Sequence, residues 1–392
     1  MRQNCYLAMS AIAIAMASSL CGCGNVDGNI TSADLGETLE QASAPSIHDG
    51  VIESSIDLSM QFPTTSKIYQ QKRKTFTEEQ FFNLFDEEPR KNDRSTSDYL
   101  VYDNDHQHAF LYDGKNLTFY TEIGDLFDSV YFEFFENPDE TVEKYIDNNG
   151  ELNFSSRNEV LEKIAEQMQS KFDLSSEEWE VDSFVSVKKE AVDQYKNTVI
   201  QNAYESDDIG SNIEDTGEEK AKALAEKYSE LPSDDFYYIE LKFKIDEIPV
   251  YSGFTFTYGA DTRYSIYAPE CHLIYTKNGI EYIILYYLYV NDTLEGAQDN
   301  VELIGTDEAL DILINKYNDV IFSGEINVYD MDLIYLPIPQ NDLDEYYESF
   351  ETRPFYAFSC RQTEVFEDEM ITSEFVSYID AVTGKDLGTE SI

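Results

Sequence analysis

Leu20-Cys21-Gly22-Cys23 sets a thiol behind an aliphatic residue and two small ones, the arrangement of a bacterial lipobox. The chemistry this spacing serves is thioether formation. The Cys23 thiol takes a diacylglyceryl group, and cleavage then falls between Gly22 and Cys23. One cation, Arg2, precedes an apolar run from Tyr6 to Leu20. That run is shorter than the roughly 20 apolar residues of a membrane-spanning helix but suits a secretory h-region. Residues 1–22 therefore read as a lipoprotein signal peptide, with Cys23 the lipid-attachment site. Two alternatives compete. Cleavage after the A-x-A site Ala15-Met16-Ala17 would release a soluble chain, and retention as an anchor is disfavoured by length. A doubly acylated cysteine holds stably to a bilayer where a single chain does not. The expected location is thus the extracytoplasmic face of a bacterial cell membrane.

Elsewhere, residues with chemical potential are few. The sequence has no Gly-x-Ser-x-Gly elbow, Walker loop, His-Glu-x-x-His or Cys-x-x-Cys, and four histidines in all. Cys271 and His272 are adjacent, so in a strand they face opposite ways and cannot act together as nucleophile and base. Asp103-Asn-Asp-His-Gln-His108 is the best metal candidate, with Asp103 and Asp105 alternating against His106 and His108. It fails as a calcium loop, because His108 stands where glycine is required and Gly114 where glutamate is. A polar turn between strands is the plainer reading. A catalytic carboxylate pair cannot be picked from so many acids by spacing alone. No catalytic residue, metal ligand or cofactor is assigned.

Charge narrows the partners. Residues 1–22 hold one of the 27 Lys and Arg and none of the 78 acids, so the remainder carries 26 against 78, a formal −52. Nucleic acid and anionic lipid both call for cationic surface, so neither is expected as a ligand. A solvated acidic coat is the ordinary meaning of such a balance. The 29 Tyr and 24 Phe favour pleated, half-buried surfaces, while Trp179 stands alone. Cys271 and Cys360, in separate expected strands, could form a disulfide in an exported protein or sit as buried thiols.

The elements that would position these residues follow from caps and periodicity. Residues 23–50, rich in Gly, Asn, Asp, Ser and Thr, read as a tether. Thr77-Glu-Glu-Gln80, Ser156-Arg-Asn-Glu159 and Thr216-Gly-Glu-Glu219 are capping boxes, and Thr306-Asp-Glu is a weaker relative. Helical stripes follow, such as Val160, Leu161, Ile164, Ala165, Met168 and Ala309, Leu310, Leu313, Ile314, Tyr317. Strands are expected at 179–187, 236–246, 263–275, 280–290, 326–336, 353–365 and 374–382. Asp113-Gly114 and Asn278-Gly279 signal two-residue hairpins. The run after Glu281 is apolar on both faces and reads as a central strand. Helix first and meander after, twice over, predicts an α+β fold of antiparallel sheets with few helices. An N-terminal α+β region would span 51–150. A C-terminal domain at 155–392 would hold two similar helix-plus-meander units, with a charged surface insert at about 188–233. The 281–290 run would lie at a sheet centre, under the 306–317 helix or where the two units meet.

Several C-terminal segments carry a family resemblance. These are Thr306-Asp-Glu-Ala309, Ile334-Tyr335-Leu336-Pro337, Arg353-Pro354-Phe355-Tyr356-Ala357-Phe358 and Val376 to Lys385, with Ile248-Pro249-Val250 further upstream. They resemble PepSY-like sheets, the extracytoplasmic YycH/YycI-type regulators and a set of uncharacterised lipoproteins of Firmicutes, over roughly residues 155–388. The resemblance implies an extracytoplasmic, non-catalytic, sheet-rich protein. The lipid anchor and the added region 50–150 depart from the YycI type, so kinase control does not carry over. Asp380 and Gly384 read as a turn, Asp capping its own loop and Gly supplying positive φ.

Together these readings give a membrane-anchored binding or regulatory module, not an enzyme, with a cell-surface or membrane protein as partner. The alternatives are a hydrolase using a carboxylate pair and a transporter-linked solute-binding lipoprotein. Hairpins argue against the latter, which normally alternates strand and helix around parallel strands.

Overall fold

The computed structural model describes residues 51–391 apart from 57–61, 137–143, 206–215, 254, 259–263, 292–297, 319–323, 341–348 and 367–368. The expected signal peptide, its expected cleavage site, Cys23 and the expected tether lie outside the described residues. In chain order the N-terminal elements are β1 (Val51–Ser54), β2 (Thr65–Arg73), α1 (Glu78–Phe82), β3 (Arg90–Lys91), β4 (Tyr99–Asp103), β5 (Gln107–Tyr112), β6 (Asn116–Thr121), α2 (Glu122–Glu136) and β7 (Ile146–Asp147). Then come α3 (Arg157–Phe172), β8 (Trp179–Val187), α4 (Lys189–Glu205), α5 (Thr216–Glu230), β9 (Phe236–Ile245), β10 (Ile248–Pro249), β11 (Thr255–Tyr258), β12 (Tyr264–Tyr267), β13 (Glu270–Thr276) and β14 (Gly279–Tyr286). The chain closes with β15 (Tyr289–Asn291), β16 (Gln298–Glu302), α6 (Thr306–Asn318), β17 (Glu325–Pro339), β18 (Ser349–Phe366), β19 (Glu369–Asp380) and β20 (Asp386–Ser391).

Strand outweighs helix, and the fold is α+β. Helix then antiparallel meander occurs twice. After α3, strands β8, β9, β13 and β14 lie side by side in that order; after α6, β17 to β20 do the same. Each helix lays its stripe on its own sheet. Val160, Ile164, Met168 and Phe172 pack with Tyr237, Ile239, Leu273 and Ile283. Ala309, Leu310, Leu313 and Tyr317 pack with Val328, Met331, Tyr356 and Phe358.

Residues 51–150 do not stand apart from these units. β6 pairs antiparallel with β14, extending the first sheet through β5 and β4 to β3. β2 pairs with β15, β16 and β18, and β1 runs parallel to β17. All described residues therefore belong to one unit, His48–Ile392, and the boundary expected near 150 separates no two sheets. N-terminal strands thus cover both edges of the first meander, β6 at β14 and β7 at β8, and the β17 edge of the second, where β1 pairs, while β20 stays terminal in its sheet.

Three further expectations are corrected. The insert at 188–233 is not all surface: α4 buries Ala191 and Val192 on the first sheet, and α5 buries Tyr228 there. The strand expected at 263–275 is two, broken at Ala268-Pro269 where proline offers no amide to a ladder. The 281–290 run is central, but α6 does not cover it. Tyr282 and Ile284 face α2 on one side; Ile283 and Leu285 face α3 on the other. Past Tyr286 the chain leaves this sheet, and Tyr289–Asn291 joins β2 in the second. At that passage the guanidinium of buried Arg73 lies 4.4 Å from the ring of Tyr287.

Candidate functional site

A cleft of about 550 Å³ opens at one end of the first sheet, within the size range of small-ligand pockets. Residues far apart in sequence line it: Asp86 after α1, His106 and Gln107 of the β4–β5 hairpin, Thr121 and Glu122 where β6 becomes α2, Gln167 and Lys171 of α3, and Asn278 to Glu281 of the β13–β14 hairpin.

Local chemistry fixes each wall. The Thr77 and Ser156 capping boxes form reciprocally and start α1 and α3. Asn104 Oδ1 accepts from the amides of His106 and Gln107, turning the β4–β5 hairpin. Gln107 then ties that hairpin to the loop after α1. Its Oε1 accepts from Asp86 N at 3.0 Å, and its Nε2 donates to Asp86 Oδ2 at 3.2 Å.

Glu281 holds the opposite wall. Tyr275 pairs with Ile280 and Ile274 with Tyr282, so the register slips at Glu281 in a bulge that re-aims its side chain. The carboxylate is buried and accepts from three side chains: Thr121 Oγ1 at 2.6 Å, Thr276 Oγ1 at 3.0 Å and Asn278 Nδ2 at 3.2 Å. Thr121 Oγ1 in turn accepts from Gly124 N, anchoring the first turn of α2. Gly124 packs so closely that a Cβ there would sit 2.0 Å from the Glu281 carbonyl oxygen. The same bonds move the hairpin turn one residue earlier than expected. Thr276 pairs with Gly279, leaving Lys277-Asn278 as the turn instead of Asn278-Gly279. Asp113 and Gly114 both take positive φ, as a type I′ turn would, but Tyr112 pairs with Asn116, so the loop expected to have two residues has three, Asp113 to Lys115.

Lys171 is the cationic group of the cleft. Burial pulls its ammonium below the usual lysine range, and the charge of Asp86 partly restores it. Among the described residues no carboxylate comes within ion-pair distance of its Nζ.

A second polar feature lies on the α2 face of the same sheet. His272 is 4% exposed and stands between the rings of Tyr238 and Tyr282, at 5.7 and 5.5 Å. Asp128 Oδ1 lies 3.5 Å from its Nε2 and Glu270 Oε1 lies 3.6 Å from its Nδ1. Desolvation is the largest influence and pushes the imidazole pKa down. The two carboxylates outweigh it and hold the pKa up, at about 9. At those distances they act as ion pairs more than as hydrogen bonds. The aromatic row continues outward from Tyr282 through Tyr120 and Phe110 to Tyr99, ring on ring at 6.0, 5.7 and 5.8 Å.

The residues singled out in the sequence fall elsewhere. Asp103 and His108 pair across strands with Oδ1 to Nδ1 at 3.0 Å, and Asp105 and His106 are exposed in the turn between them. Among the described residues no group of three or more His, Cys, Asp or Glu converges as a metal site. Cys271 and Cys360 are free, buried thiols in different cores. Burial pushes both thiols up, Cys360 to about 12. Cys271 faces the α3 core and His272 the α2 side, as adjacent strand residues must. Asp380 accepts from the amides of Val382 and Thr383, and Gly384 takes φ +69°, forming the expected turn.

No protein-family model matches the chain, and no curated protein is significantly similar to it. The chain is similar to the crystal structure of an uncharacterized protein from Eubacterium rectale ATCC 33656. That likeness has a TM-score of 0.48 and 15% identity, covering 82% of this chain and 86% of that one.

Proposed function

We propose that this chain is a lipid-anchored, extracytoplasmic binding module of a bacterial cell membrane, without catalysis, and that the cleft at Lys171 is its small-ligand seat. The lipobox at Cys23 and the PepSY/YycI-like segments support the anchored, non-catalytic reading. The observation that carries the seat is a half-buried ammonium with no ion-pair partner among the described residues, in a chain of net charge −51. A cation kept out of water and unpaired costs stability unless an anion completes it. Gln167 of the same helix lines the cleft with it, so a small polar molecule bearing an anionic group fits the cleft best.

The rival reading, a hydrolase with a carboxylate pair, meets Asp86, Glu122 and Glu281 in the same cleft. Glu281 spends its oxygens on Thr121, Thr276 and Asn278, and Asp86 is engaged by Gln107. These are the contacts of struts that hold walls together. Outside the cleft, His272 stays protonated at neutral pH and is shut from solvent, so it offers no base.

Calorimetry of the full-length protein in detergent, against free amino acids, dicarboxylates and sugar phosphates, tests the seat. Saturable binding of one class, weakened at least about tenfold (about 1.4 kcal/mol) by Lys171→Met with melting unchanged, is the expected result. Binding unaffected by Lys171→Met, or turnover of a bound compound, would overturn the reading.

A further inference from the structure

The cleft at Lys171 carries charge of both signs, and each sign comes from a different helix. The start of α2 is negative. Glu122 opens that helix, and its amide donates to His106 O at 3.2 Å, which fixes the helix start against the β4–β5 hairpin. The buried carboxylate of Glu281 is held at the same place through Thr121, the residue just before α2. A helix N-terminus contributes roughly half a positive charge, too little to cancel two carboxylates. Glu281 is fully engaged by its three donors, but Glu122 is not. Among the described residues its carboxylate has neither an ion pair nor a hydrogen bond.

The end of α3 supplies the positive charge. Asp86 is the carboxylate whose charge acts on Lys171, and Gln107 holds Asp86 in turn. Lys171 and Glu122 are not within ion-pair distance of each other, so neither completes the other. The lining thus sets three carboxylates, Asp86, Glu122 and Glu281, against one ammonium. A purely anionic ligand would gain one attraction there and meet three repulsions. Apolar side chains also line the cleft, half-buried Ile123, Leu231 and Ile280 among them.

We propose, resting on the small-ligand seat described above, that the ligand is a zwitterion with an apolar body: a free amino acid or a short peptide with free ends. Its carboxylate completes Lys171 and its ammonium completes Glu122, while the apolar body lies against the aliphatic lining. Each pairing gives a partner to a charge that lacks one. A dicarboxylate or a sugar phosphate would satisfy Lys171 alone and add negative charge to a lining already dominated by carboxylates.

Calorimetry of the full-length protein in detergent, with leucine and with alanyl-leucine, tests this. Saturable binding is expected, and the tighter of the two tells a free amino acid from a peptide. The N-acetylated and the C-amidated forms of that compound should each bind the parent protein at least about tenfold more weakly. Glu122→Gln should weaken the free zwitterion by at least about tenfold and leave the N-acetylated form as it was. The blocked compounds are compared on the parent protein, so they decide the matter even where Glu122→Gln lowers melting. An N-acetylated form that binds as tightly as the free one, or binding indifferent to Glu122→Gln, would overturn the zwitterion and leave the anion seat at Lys171 standing. Failure of both compounds beside a dicarboxylate or sugar phosphate held through Lys171 would do the same. Binding of nothing, or binding unaffected by Lys171→Met, would overturn the seat itself and this inference with it.

Discussion

Both sheets bury charge, Glu281 and His272 in the first and Asp380, 3.2 Å from Arg353, in the second, but they differ in how their faces and strand ends are covered. The first is covered on both faces, by α3 on one side and by α2, α4 and α5 on the other, and it carries charged groups inside: Glu281 and His272. The second has α6 on one face and a smaller core around Tyr251 and Ile266 on the other, and it leaves apolar groups outside, on strands that outrun their neighbours. The difference teaches where function can reside in a sheet protein. A covered sheet can hold a carboxylate or an imidazolium where neighbouring strands and the covering helix bring polar or charged groups to it, as Thr121, Thr276 and Asn278 do for Glu281 and Asp128 and Glu270 for His272. The strand end at Val365, Met370 and Ile371 leaves its apolar groups exposed.

The largest expected effects come from breaking either core. Phe127 stacks on Phe236 at 4.5 Å in the first sheet, and Phe127→Ala should cost about 3–5 kcal/mol. Leu313→Ala, under α6 in the second, should cost about 2–5 kcal/mol. Trp179 is the sole tryptophan and belongs to the first sheet. Because β2 and β15 tie the sheets together, Leu313→Ala should move the urea midpoint read by Trp179 fluorescence as far as that read by circular dichroism. Separate midpoints would show two independent folding units.

Gly124→Ala should cost about 1–3 kcal/mol, since its Cβ would strike the Glu281 carbonyl and push α2 off the sheet. The cleft should lose its ligand with it. An unchanged melting temperature would show that α2 can shift freely there.

His272 gives a smaller effect that depends on pH. Its folded pKa, about 9, lies above the unfolded value near 6.5. Its contribution is therefore complete below about pH 6.5 and fades as pH rises through 9, amounting to at most about 3 kcal/mol. His272→Gln should be less stable than the parent at pH 6 and should approach it by pH 9.5, read from urea midpoints. A gap that is constant with pH would mean the imidazole is held for shape and not for charge.

Much of this was legible in the sequence because it is local. The Thr77 and Ser156 caps, the Trp179–Val187 strand, the start of α6 and the Asp380 turn each rest on residues within a few positions of one another. What escaped is long-range. Nothing in Asn116–Thr121 announces that it will pair with Gly279–Tyr286, so the boundary near 150 dissolved only when the strands were placed. The hairpin turn slipped by one because Thr276 and Asn278 serve Glu281, a tertiary demand that outweighs the Asn-Gly preference. Lys171 gave no signal, since a lysine in the last turn of a helix is unremarkable until the fold lines one cleft with it, Asp86 and Gln107. The exposure of Val365 and Met370 depends on where β17 begins, which their own alternation does not encode.

The most direct test of the central claim is lipid attachment at Cys23. Cells expressing the full chain would be fed labelled palmitate and fractionated, alongside Cys23→Ala. The account predicts label on the parent protein in the membrane fraction. It predicts no label on Cys23→Ala, with that variant released to the medium or held unprocessed. A Cys23→Ala protein that stays membrane-bound with unchanged mobility, or a parent that takes up no label, would contradict it.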